Sequence, residues 1–198
     1  SEIPISVNMD TEMAETYETM GQEMRTAMNR QRNSKTMSQI ALMMTAWPDQ
    51  PYDQPPIIDP DSKDIIYTPP DMSSEELTVK DEECLRIIRA NVAQGRKVMV
   101  YYTYPGRTDV DRRLPQILNE EGINTSVLLS KKPDNFRGRL PKWMGIPSAD
   151  HREEWINEQL DNGCQVLFVN PKLIQTGLDL ISFPTIIFYQ TGYNLSDM

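Results

Sequence analysis

Between Asn170 and Asp179 the chain reads NPKLIQTGLD, and several of these residues can hold an anionic or sugar-bearing ligand. Asn170 and Lys172 can meet a phosphate. Gly177, next to Thr176, permits a close backbone approach or a positive φ. Asp179 can accept from a sugar hydroxyl or orient a neighbouring loop. The same residues also suit a plain turn, with Gly for conformation and Asp for a local hydrogen bond. Spacing alone leaves both readings open. Other chemistry-bearing residues are sparse. His151 is the only histidine, so neither a nucleophile–histidine pair nor a His-rich metal site is expected. In the first turn of a helix it reads as a surface or capping residue. Cys84 and Cys164 are far apart and form no CxxC pair, which fits a reducing cytosol and weighs against a disulfide or zinc. Arg137, Arg139 and Lys142, beside Trp143, suit either contact with a nucleic-acid strand or a solvated loop.

Composition limits what can position these residues. A chain of 198 residues with 38% apolar content and three Trp can pack one ordinary domain plus an appendage. No stretch approaches the roughly 18 uninterrupted apolar residues of a membrane span. The start, SEIPISVNMD, has no basic region leading into an apolar one, so no secretory signal is expected and a cytoplasmic location is. The net charge of −9 opposes strong binding to a polyanion unless positive charge is local. The abrupt ends and twelve Met suggest an excised fragment.

Met9, Met13, Tyr17, Met20, Met24 and Met28 recur at three or four residues, one stripe of a helix capped near Asp10. Ser34 is expected to cap a second helix carrying Met37, Ile40, Ala41, Met44 and Trp47. Such a Met stripe reads first as core. From Pro48 to Pro70 the composition changes: the segment WPDQPYDQPPIIDPDSKDIIYTPPD is rich in Pro and Asp and reads as a long connection, with a small hairpin where Ile57-Ile58 and Ile65-Ile66 flank DPDSKD. After Ser73 amphipathic helices alternate with short apolar runs. Gly95, Gly122 and Gly163 end the helices. The runs KVMVYYTY, INTSVLL, QVLFV and TIIFY are four expected strands. The stretch from Lys131 to Pro147 reads as a loop, and Ser148 as the cap of the last helix. This alternation predicts an α/β fold with a mostly parallel sheet and ligands beyond the carboxyl ends of its strands.

The order of elements resembles the second RecA-like domain of a superfamily 2 helicase, particularly the SWI/SNF-like translocases. GRKVMVYYTY resembles the strand of motif IV; HREEWINEQLDNGCQVLFVNPKLIQTGLDL resembles the helix, strand and motif V; FPTIIFYQTGYN resembles the following strand, which ends in an aromatic residue and Asn. The likeness covers roughly Leu77 to Met198. The start, EIPISVNMDTEMAETYETM, resembles the segment that bridges the two motor lobes. The resemblance implies a three-layer, RecA-like lobe at 77–198 that stops before motif VI, a bridging helical extension at 1–47 and a connection at 48–76. It also implies nucleic-acid contacts from Asn170 and Lys172, from Thr103, Tyr104 and Arg107 after motif IV, and from Ser130 and Lys131 after the second strand. Thr176, Gly177 and Asp179 would face the nucleotide at the lobe interface. Two departures stand out: Leu173-Ile174-Gln175 replace the Ala-Gly-Gly of SWI/SNF-like motif V, and Asn170 replaces the hydroxyl residue at its start.

There is no GxxxxGK[ST] phosphate loop and no DExx box carrying a Mg²⁺-linked acid. Asp81, Glu82 and Glu83 fall in a helix's early turns, where carboxylates suit the dipole. The expected function is the C-terminal motor lobe of an ATP-dependent DNA helicase or translocase. ATP and Mg²⁺ would act only in the intact protein, and the partner would be the N-terminal RecA-like lobe of the same polypeptide. No catalytic residue and no metal ligand is assigned to this chain, and weak or no DNA binding is expected of it alone. Two rivals remain: a Rossmann-like lobe that binds a nucleotide-sugar, and a non-catalytic interaction module that uses the Met-striped helices.

Overall fold

The computed structural model describes residues 2–30, 33–103, 108–133, 136–174 and 182–190. The chain divides into two compact units, Ser1–Glu83 and Cys84–Met198.

In the first unit, α1 (Thr11–Arg30) starts where Asp10 Oδ1 accepts from the Met13 amide at 2.8 Å. Helix α2 (Ser34–Ala46) is capped one residue earlier than expected: the Asn33 side chain accepts from the Lys35 amide at 2.9 Å, and Ser34 is already helical. Asn33 holds the extended backbone that an N-cap needs, and its short carboxamide reaches the second amide. Met13, Met20, Met24 and Met43 are buried with Ile40, Trp47 and Ile57 in one apolar cluster. The Met stripe is therefore core, where flexible thioethers fill the irregular gap between two helices. Tyr17 stacks on Trp47 at 6.0 Å between ring centroids and donates to the Met44 carbonyl at 2.9 Å.

The Pro- and Asp-rich segment is more than a tether. Strands β1 (Ile57–Ile58) and β2 (Ile65–Tyr67) form the expected antiparallel hairpin. Asp59 closes its turn by accepting from the Asp61 and Ser62 amides at 2.8 and 3.0 Å. The Gln39 carboxamide pairs with both backbone groups of Ile58, and the Trp47 indole donates to the Pro70 carbonyl at 2.9 Å. Ile57 enters the Met cluster, while Ile66, Tyr67 and Met72 pack against it. The hairpin segment thus adds to the cover that the two helices give one another.

The second unit alternates helices and strands: α3 (Val79–Ala93, which begins before the unit boundary), β3 (Val98–Tyr101), α4 (Val110–Glu120), β4 (Thr125–Leu128), β5 (Met144–Gly145), α5 (Arg152–Asp161), β6 (Val166–Val169) and β7 (Thr185–Phe188). The five strands form one sheet in the order β5-β4-β6-β3-β7, and every pairing is parallel. The four expected strands are all present. Strand β5 is an addition, lying in the stretch read as a loop. Two residues carry no periodicity to read, and only pairing of Met144 and Gly145 with Val127 and Leu128 makes them a strand.

Alternation along the strands assigns the helices to faces. Met99, Tyr101, Leu128, Leu167 and Val169 share a cluster with Ile156, and Trp155 and Leu160 pack against it, so α5 covers that face. Thr185, on the opposite face, donates to Asn91 of α3 at 2.8 Å. Tyr102, also on that opposite face, hydrogen-bonds Asp111 of α4. The unit is thus an α/β assembly with helices on both faces of a parallel sheet. Residues of β3, β4 and β6 are buried throughout, which accounts for the unbroken apolar runs of β3 and β6; in β4 the buried Thr125 and Ser126 hydroxyls donate to the Ile123 carbonyl and to Gln159 Oε1.

Candidate functional site

In a parallel sheet of this kind, the carboxyl ends of the strands are where a site can be built. Here β3, β6 and β7 are adjacent, and their ends share one buried polar network centred on Thr103. The Thr103 amide donates to Gln190 Oε1 at 2.9 Å, its hydroxyl donates to the Gln190 carbonyl at 3.0 Å, and its own carbonyl accepts from Asn170 Nδ2 at 3.4 Å. Gln190 Nε2 donates onward to the Thr108 hydroxyl at 3.2 Å. Gln190, Thr108 and Asn170 are all buried.

Asn170 leaves β6 in extended conformation and caps a short 3-10 turn, Pro171–Leu173; its Oδ1 accepts from the Lys172 amide at 3.0 Å. Both ends of its carboxamide are therefore engaged within the protein. Lys172, on the outside of the same turn, is exposed. Arg152, at the start of α5, donates to the Leu173 carbonyl at 3.1 Å and ties the turn to that helix. Pairing Asn170 with Lys172, as the sequence suggests, thus brings together two residues with different surroundings: one faces inward as scaffold, the other outward as a cation.

Ser130 and Lys131 follow the carboxyl end of β4 and are exposed. Strand β4 lies beside β6, so Lys131 and Lys172 emerge from the ends of neighbouring strands. Positive charge continues from there. Residues 131–142 carry Lys131, Lys132, Arg137, Arg139 and Lys142 against a single acid, Asp134, in a chain of net charge −9. Lys132 donates to the Gly138 carbonyl at 2.6 Å and lies 5.8 Å from the centroid of the Phe136 ring. Arg137, Arg139 and Lys142 are exposed.

Thr103 is half-buried, with its hydroxyl turned to Gln190. Tyr104, Arg107, Thr176, Gly177 and Asp179 lie outside the described residues. Sequence reasoning missed Gln190, Thr108 and the buried pair of Tyr102 and Asp111. A Gln directly after an apolar strand is a faint signal, and its partners are 82 and 87 residues away in the chain. Burial pushes the Asp111 carboxyl up to about 6; nearby Asp109 adds to that, while Arg112 opposes it. Burial likewise holds the Tyr102 phenol well above its ordinary value.

Away from the strand ends, His151 Nδ1 pairs with Ser148 Oγ at 2.7 Å on the surface, in the short turn that leads into α5. Among the described residues no group of His, Cys, Asp and Glu side chains is arranged to hold a metal ion, and no helix is long and apolar enough to cross a membrane. No protein-family model, no curated protein and no solved structure matches the chain.

Proposed function

We propose that this chain is the C-terminal, RecA-like motor lobe of an ATP-dependent DNA helicase or translocase. The observation that carries the reading is the placement of Lys131 and Lys172 at the carboxyl ends of adjacent parallel strands, with the cationic 131–142 segment leading away from one of them. Two exposed lysines beyond neighbouring strand ends suit contact with a phosphate backbone. Such contacts fix position on the backbone without reading sequence. Arg137, Arg139 and Lys142 would extend the track.

ATP and Mg²⁺ belong to the intact protein in this reading. Phosphoryl transfer needs a cradle for the β- and γ-phosphates, a metal carboxylate and a cation at the γ-phosphate. The sequence has no phosphate loop to cradle them, so the N-terminal lobe of the same polypeptide would supply that part, and no hydrolytic step is assigned to residues of this chain. This lobe would supply one wall of the cleft, from the Thr176–Asp179 segment, and half of the phosphate track. Lobe closure around ATP and reopening after hydrolysis would then step the two tracks along DNA, because ATP binds the closed arrangement better.

Titration of fluorescently labelled duplex DNA with this chain, across a series of salt concentrations, tests the reading. Measurable binding is expected at low salt, with steep loss as salt rises. Lys131→Ala and Lys172→Ala should each weaken binding and lower the salt slope by about 1. Binding that does not weaken as salt rises, or binding indifferent to both substitutions, would overturn the proposal.

A further inference from the structure

The Thr103 network serves no purpose that the phosphate track requires directly, since none of its buried side chains faces solvent. We propose that Gln190 is a positioning residue, a latch through which the end of β7 holds the Lys172 turn in place. The relay runs through four residues. The Gln190 side chain accepts from the Thr103 amide, and the Gln190 backbone carbonyl accepts from the Thr103 hydroxyl. Thr103 offers its carbonyl to Asn170 Nδ2, and the other end of that carboxamide holds the Lys172 amide. Gln190 also grips Thr108, so one side chain ties together the residues on either side of the 104–107 segment.

The chemistry demands a neutral group that both accepts and donates at this position. Oε1 must accept from an amide while Nε2 donates to a hydroxyl, in a place where Gln190 is 4% exposed. A methionine of similar length makes neither bond and leaves the Thr103 amide and the buried Thr108 hydroxyl without those partners. A protonated glutamic acid makes both, with one oxygen accepting and the O–H donating. An ionised glutamate would be a buried charge. The relay therefore predicts a pH-dependent phenotype for one substitution and a pH-independent one for another. The consequence for DNA rests on the motor-lobe reading; the relay itself does not.

The test is residue-resolved amide exchange by NMR on the whole chain. In Gln190→Met, the amides of Thr103 and Lys172 should both exchange about tenfold faster, as expected for a lost hydrogen bond. The Leu129 amide, bonded to the Gly145 carbonyl on the far side of the sheet, should be unchanged. Should Gln190→Met fail to fold, Gln190→Glu decides the matter. Relative to wild type at the same pH, its Lys172 amide should be protected in acid and exposed as the introduced carboxyl ionises. Faster exchange at Thr103 with an unchanged Lys172 amide, or a Gln190→Glu profile parallel to wild type at every pH, would overturn the latch. In the salt titration, Gln190→Met should weaken DNA binding as Lys172→Ala does. If wild-type binding is indifferent to Lys131→Ala and Lys172→Ala, the motor-lobe reading falls while the exchange data still decide the relay.

Discussion

Asp111 stands in the second position of α4, where a helix N-terminus favours negative charge, yet its surroundings favour the neutral acid. It is 4% exposed, and burial outweighs the help of Arg112. The folded-state pKa of about 6 lies above the ordinary 3.8, so the folded chain holds this proton more tightly than the unfolded chain. Stability from this group is therefore intact below the ordinary value and is lost as pH rises through about 6. Asp111→Asn should remove the loss. Denaturant unfolding should show the variant equal to wild type near pH 4 and more stable at pH 7.5, by about 2–3 kcal/mol. A variant no more stable than wild type at pH 7.5 would show that the ionised carboxylate is well solvated. Neither this residue nor Gln190 announces itself in the sequence, because what makes each unusual is the company it keeps after folding.

The elements depend on a few close fits. On β5, a Cβ at Gly145 would collide with the Trp155 indole of α5, so the ring lies directly on the strand backbone. Gly145→Ala forces either the indole or the strand away. A loss of about 1–3 kcal/mol is expected for such overpacking, read as a lower midpoint in denaturant. If the variant matches wild type, the indole has room to move aside. In the first unit, Trp47 joins α2 to the hairpin segment: its ring stacks on Tyr17 and its N–H reaches Pro70. Trp47→Ala should cost about 3–5 kcal/mol and release protection in α1, α2 and the hairpin together. Loss confined to one of those elements would mean that the Met cluster holds without its aromatic keystone. The Met spacing made α1 legible in advance; that Pro70 receives the indole proton was not, since nothing in a Pro-rich stretch marks where it will fold back.

For the molecule as a whole, charge distribution matters more than charge total. A net −9 opposes DNA binding, while the 131–142 segment carries five cations and one acid. Affinity for duplex DNA should therefore be low at physiological salt and appear only as salt is lowered, since acidic surface elsewhere is repelled over about one Debye length. The same chain is expected to release no phosphate from ATP. Steady phosphate release by purified chain, abolished by a substitution within it, would show that it carries a hydrolytic site of its own and would contradict the division of labour proposed between two lobes.

The sequence by itself determined the α/β character, the four main strands, the helix stripes and glycine ends, because apolar periodicity and turn chemistry act over a few residues. It also marked Lys131 and Lys172 as residues beyond strand ends. Only the tertiary structure decided that β3 lies between β6 and β7, that Met144 and Gly145 form a fifth strand, and that the Asn170 carboxamide points inward. Those outcomes rest on pairings between residues far apart in the chain, such as Thr103 with Gln190 across 87 positions. A buried polar group takes whichever partner the finished packing brings within about 3 Å, and no local pattern encodes that choice.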